Sequence, residues 1–177
     1  MSSGFISSEA DTKDFADLKL LSFSLGDQQY GTHISQVKEV VRIIEVTKVP
    51  ETPPFVEGVI NYRGELVSVL NLKKYLGIKT TENGLNTPII IVQADGQHLG
   101  VIVDSVSEVL SIPQSLIEPI PEIHPLAEFL EGAIKFEGKI VLILNFNKGL
   151  KKREKKLLEN LTRNLAQKPK FGQDREG

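Results

Sequence analysis

Histidine, aspartate and glutamate are the side chains in this chain that could hold a metal or move a proton, and their spacing supports neither. His33, His98 and His124 never fall four residues apart or beside a carboxylate at ligand spacing, and with zero cysteines no zinc set can be completed. His33 and His98 lie near matching points of a repeated segment, where solvent-facing strand residues are expected, and His124, between Ile123 and Pro125, is expected in a loop. Glu128 and Glu131 could serve as acid and base, but solvated turn surface accounts for them equally well. There is no nucleophile elbow, P-loop or dinucleotide-binding glycine pattern, so the expected protein is not an enzyme and uses no cofactor or metal. A hydrolase whose triad assembles only in space is the residual catalytic alternative.

The candidate for chemistry of another kind is an arginine. Residues 58–72 read GVINYRGELVSVLNL and residues 132–146 read GAIKFEGKIVLILNF, so that glycines, apolar positions and the closing Leu-Asn pairs align while Arg63 stands where the second copy has Glu137. Arginine offers a planar fork of donors suited to binding carboxylates and orienting surfaces. A second match, QQYGTHISQVKEVV at 28–41 with QHLGVIVDSVSEVL at 97–110, pairs Gly31 with Gly100, Val37 with Val106, Glu39 with Glu108 and Val40 with Val109.

The elements that must position these residues are short. LKLLSFSL from Leu18 alternates as a strand, Gly26-Asp27 turns the chain, and the β-branched stretch to Val49 predicts strand until Pro50, Pro53 and Pro54 end it. In the next segment Val59, Asn61 and Arg63 fall on one side of a strand, Ile60 and Tyr62 on the other, and Gly64-Glu65 turns into Leu66–Leu72 as a hairpin. A helical turn and polar loop fill 73–87, followed by the strand PIIIVQAD. Two half-domains of about 70 residues, each with roughly five strands, are the economical reading, as small barrels rather than a βαβ sheet. Gly58, Gly64 and Gly100, with Gly132 and Gly138, are expected to shape the hairpins rather than make contacts.

The 177 residues can bury a substantial core, and no apolar run approaches the length of a membrane span. The start lacks a secretory pattern and cysteine is absent, so a cytoplasmic location is expected. Residues 1–150 carry 12 Lys+Arg against 19 Asp+Glu, whereas 151–177 carry 9 against 4. The acidic body disfavours a general nucleic-acid binder. A small β-barrel binding nucleic acid through its basic tail remains the alternative, although the 11 Phe plus Tyr are not interleaved with basic residues. Residues 1–17 read as a mobile arm, 18–150 as the two-lobed domain, 151–167 as a basic amphipathic helix and 168–177 as a disordered tail. Leu150, Leu157, Leu158, Leu161 and Leu165 form the helix's apolar face, expected to pack back on the barrels.

Five motifs in order give the chain a resemblance. Leu25-Gly26 with Tyr30-Gly31, Val37-Lys38-Glu39-Val40, Val46-Thr47-Lys48-Val49-Pro50, Gly58 to Gly64 and Gly100 to Leu110 resemble the CheW family of chemotaxis coupling proteins over about residues 18–150. The resemblance implies an all-β fold of two intertwined five-stranded SH3-like barrels acting as a scaffold without catalysis. It further implies two partners, the regulatory domain of the histidine kinase CheA and the cytoplasmic tips of chemoreceptors, in arrays beneath the membrane. No small-molecule substrate is implied, and the membrane is reached only through receptors. Carried over to this sequence, Val37, Glu39, Val40 and Arg63 are the expected partner-binding residues. The chain departs from the family pattern at Asn71, where an aspartate is usual, and in its basic tail.

Overall fold

The computed structural model describes residues 17–42, 45–78, 87–123, 127–149 and 157–163. Ten strands account for most of them: β1 (Asp17–Leu25), β2 (Gln28–His33), β3 (Val37–Val41), β4 (Val56–Tyr62), β5 (Glu65–Asn71), β6 (Ile89–Ala94), β7 (Gln97–Ile102), β8 (Ser105–Pro113), β9 (Leu130–Phe136) and β10 (Lys139–Leu144). They form two five-stranded sheets, ordered β8-β1-β2-β10-β9 and β3-β6-β7-β5-β4. Advancing every strand of the first order by five, cyclically, generates the second, so the sequence repeat is a structural repeat.

The sheets nevertheless cut across the repeat. Each takes two strands from one half and three from the other, joined through the parallel pairs β2 with β10 and β5 with β7 and the antiparallel pairs β1 with β8 and β3 with β6. The two units are therefore intertwined, and neither half can complete a sheet without the other. At each parallel seam lies a glycine. Gly31 faces Ile143 and Gly100 faces Val69, and a Cβ on Gly100 would come within 3.1 Å of Ile89 Cγ2 and 3.2 Å of Val69 Cγ2. Gly100 thus lets side chains from two strands close over it, away from any hairpin turn.

The edges of each sheet are then drawn together. The chain leaving β3 returns to β4 through reciprocal backbone bonds, Thr47 N–H to Val59 O at 2.8 Å and Val59 N–H to Thr47 O at 2.9 Å. Glu118 and Ala133 make the same exchange in the other sheet, at 2.8 Å in each direction. Satisfying edge donors and acceptors within the chain removes a template for uncontrolled pairing. One core fills each sheet: Ile60, Tyr62, Val67, Val69, Ile89, Ile91 and Ile102 in one, and Leu20, Leu110, Ile112, Ile134, Val141 and Ile143 in the other. Phe23, Tyr30, Leu70, Val92, Leu130 and Leu144 belong to a third core that joins the units.

Several expectations need adjusting. The stretch from Val37 to Val49 is not one strand: β3 stops at Val41, and beyond it, among the described residues, the chain makes only the isolated bridge at Thr47. The hairpin turn comes one residue early, with Arg63 in the turn itself rather than on the strand. Of the expected C-terminal helix, residues 157–163 are described and helical. Leu158 is buried and Leu161 packs on the central core, whereas Leu157 stays exposed. Leu150 and Leu165, residues 1–16 of the expected arm and the tail over 168–177 lie outside the described residues, while Asp17, the last residue assigned to the arm, begins β1.

Candidate functional site

The β4–β5 turn has two residues with positive φ, Arg63 at 52° and Gly64 at 82°. This is the two-residue geometry whose twist matches paired strands. Asn61 Oδ1 accepts the Gly64 N–H at 2.9 Å and braces it. Glu137 and Gly138 repeat the backbone at 51° and 78°, so an L-residue in the left-handed region marks both hairpins and does not single out Arg63. What differs is what the side chains reach.

Arg63 Nη2 donates to Glu39 Oε1 at 2.8 Å, and the hydroxyl of Tyr62 donates to the same oxygen at 2.9 Å. The guanidinium carbon lies 5.5 Å from the centre of the Tyr62 ring, within cation–π range. His98 packs edge-on to that ring at 5.9 Å between centroids and pairs through Nδ1 with Glu65 at 3.2 Å. Glu39 belongs to β3 and Tyr62 to β4, the opposite edges of one sheet, so these bonds fasten the sheet at the hairpin end. Two residues singled out separately, Glu39 and Arg63, are thus one ion pair. The Arg63 side chain is 74% exposed and Glu39 37%. The guanidinium keeps unused donors facing solvent, held in place by the carboxylate below it.

The hydrogen bond from Tyr62, then that from Arg63, holds the Glu39 carboxyl below the usual glutamate range. Burial, and then the adjoining carboxylate, raises the Tyr62 phenol. Because the folded value of Glu39 is depressed, its pairing contributes fully above the ordinary glutamate pKa of about 4.3 and is lost as pH falls through the lower folded value. Removing the hydroxyl alone in Tyr62→Phe should move the Glu39 carboxyl titration upward while the fold persists. A carboxyl-detected NMR titration reads this directly, and an unmoved Glu39 would show that the hydroxyl does not hold the carboxylate.

Val37 and Val40 are half-buried and pack against the central core, so their side chains serve the interior first. Gly64 sits in the turn as expected, but Gly58 lies at the far end of β4 against the Thr47 connector. His33 and His98 are not simply solvent-facing: their side chains are 21% and 23% exposed and paired with Glu131 and Glu65. His124 lies outside the described residues. Among the described residues no group of three His, Asp or Glu side chains could hold a metal, and no helix is long and apolar enough to cross a membrane. Asn71 caps the short helix Leu72–Leu76 by accepting the Lys74 N–H at 3.1 Å and donates its amide to Glu57 at 3.0 Å. An ionised aspartate could cap but could not make the second bond.

Tyr62, Glu65 and His98 were missing from the expected site. The signal for Tyr62 was available, since the second copy has Phe136 at that position and lacks the hydroxyl. At the corresponding end of the other sheet, Glu108, Phe136, Glu137 and Lys139 border an open cleft of about 200 Å³. The aligned residues thus form no arginine–carboxylate pair there, because Glu137 and Glu108 bear the same charge.

Residues 19–154 match the family model described as CheW-like domain. The chain is 30% identical over 147 residues to the chemotaxis protein CheW of Klebsiella aerogenes, covering 82% of this chain and 89% of that protein. It is 32% identical over 136 residues to the chemotaxis protein CheW of Helicobacter pylori, covering 76% and 82% respectively. The crystal structure of the scaffolding protein TtCheW from Thermoanaerobacter tengcongensis superposes with a TM-score of 0.70 at 39% identity, over 76% of this chain and 97% of that one. With the repeat, the exchanged strands and this agreement in sequence and structure, the chain belongs to the CheW-like domain family of chemotaxis scaffolds.

Proposed function

We propose that this protein is a non-enzymatic chemotaxis adaptor that couples membrane chemoreceptors to the histidine kinase CheA, so that receptor state controls autophosphorylation of the kinase. The observation that carries this reading is the Arg63–Glu39–Tyr62 cluster: an exposed guanidinium on a rigid two-residue turn, held by a carboxylate from the opposite sheet edge. Such an arrangement presents directional donors with little conformational freedom left to lose on binding. Val37, Glu39, Val40 and Arg63 form the partner-binding set in this proposal. Glu39 and Arg63 make direct contacts, while Val37 and Val40 support the strand that carries the glutamate. The protein would work in the cytoplasm, at receptor arrays beneath the membrane.

Co-purification with a CheA regulatory domain and with a receptor cytoplasmic fragment, separately and together, tests the proposal. Binding to each, and one complex containing all three, is the expected result. Binding to neither would leave the family assignment standing and remove the coupling function.

A further inference from the structure

The two units are connected where the chain crosses between sheets, and one crossing carries a carboxylate that pairs with a buried lysine of the opposite unit. Val103 and Asp104 link β7, in one sheet, to β8, in the other. Asp104 is tied to the β8-containing sheet by two bonds of its own and one from its neighbour. Its N–H donates to Ser24 O at 3.0 Å, its Oδ2 accepts the Gly26 N–H at 2.7 Å, and the neighbouring Ser105 hydroxyl meets that of Ser24 at 2.5 Å. Its other oxygen, Oδ1, lies 2.7 Å from Lys73 Nζ, and the Lys73 side chain is only 4% exposed.

Lys73 is anchored to the opposite unit. It lies in the short helix directly after β5, which Asn71 caps, and the neighbouring Lys74 reaches Glu57 on β4 at 3.0 Å. A buried lysine needs a partner, yet an apolar residue of similar volume would serve stability about as well. The distinctive property of an ion pair here is direction. It favours one placement of Nζ relative to the carboxylate, and so one placement of the helix relative to the β1–β2 turn.

The repeat supplies an internal comparison. At the other crossing, from β2 to β3, Ser35 aligns with Asp104, and Asn147 aligns with Lys73. Asn147 Oδ1 instead accepts the N–H of Asp95, the counterpart of Gly26, at 2.9 Å. Each unit therefore holds the other's first turn, and on the Lys73 side the hold runs through the crossing itself, from a buried lysine (4% exposed) to a partly exposed carboxylate (31%).

We propose that the Lys73–Asp104 pair is a clamp that sets the relative orientation of the two units across the core they share, and that breaking it lets that orientation shift while each sheet stays folded. The clamp does not depend on which partners the protein binds. Its consequence is that surfaces on the two units are presented in one fixed geometry.

The cysteine-free chain permits a direct test. Spin labels at Gln93→Cys and Lys135→Cys report one distance between the sheets, and labels at Lys38→Cys and Ser107→Cys report a second, all four positions being exposed. Each pair should give a single distance population in the parent chain. Lys73→Met and Asp104→Asn should each shift that population or add a second one in at least one label pair, with hydrogen exchange within the strands unchanged. Unaltered distances in both pairs for a folded variant would overturn the clamp, even if that variant melts at a lower temperature. Should Lys73→Met fail to fold, Asp104→Asn decides the question, because its amide oxygen can still accept the Gly26 N–H while the charge is gone.

Discussion

Arg63→Glu is expected to leave the protein folded and to reduce kinase stimulation in a reconstituted receptor assay by about tenfold or more. The first half follows from where the residue sits. Its side chain is mostly exposed on a turn whose matching position already carries a glutamate at nearly the same φ, 51° against 52°. The backbone therefore accepts the substitution, as Glu137 demonstrates within this chain. The second half follows from charge. The substitution places a carboxylate beside Glu39, removes the cation over Tyr62 and reverses the sign presented to a partner. Reversing one member of a recognition pair commonly costs more than about 2 kcal/mol, or over tenfold in affinity. Thermal unfolding and stimulation should be measured on the same sample. Undiminished stimulation would remove Arg63 from the proposed partner site, whereas lost stimulation with a collapsed melting temperature would show that Arg63 serves the fold.

The comparison of Arg63 with Glu137 was legible in the sequence because both lie in a local repeat with the same glycine spacing. So was the strand count of each half. The partner of Arg63 was not legible, since Glu39 and Arg63 belong to opposite edges of a sheet that closes only in three dimensions. The exchange of strands was also invisible to periodicity: β2 and β10 are distant in sequence, and neither differs in composition from a strand that stays at home. Lys73 was hidden for a related reason. In the sequence it is one lysine of a Lys-Lys pair on a polar turn, and only the fold separates it from Lys74, burying the first against Asp104 while leaving the second partly exposed.

Gly58 shows how the same glycine spacing can conceal unequal demands. A Cβ at Gly58 would fall 2.1 Å from Thr47 O and 2.7 Å from Thr47 C, at a φ of +147°. Both atoms are backbone, so no rotamer change can relieve the clash. Gly58→Ala must therefore push the connector off β4, straining the two reciprocal Thr47–Val59 bonds. Overpacking of about 2 kcal/mol, together with weakened backbone bonds, gives a loss of about 3 kcal/mol. For a chain of this size that lowers the melting temperature by roughly 10 °C. At the aligned Gly132 the closest atom is the side-chain Ile117 Cγ2 at 2.5 Å, with Glu118 O at 2.9 Å. Part of that clash can be relieved by moving a side chain, so Gly132→Ala should cost less. The ranking is the sharper test: equal melting temperatures for the two variants would mean that the Thr47 contact is not the constraint at Gly58. Gly58→Asp should additionally weaken binding to the CheA regulatory domain, because the displaced connector continues from the strand that carries Glu39. The Arg63 turn lies at the other end of β4 and would be reached only through that strand. Restoring the Glu39 titration to its parent position without restoring binding would break this link between the connector and the site.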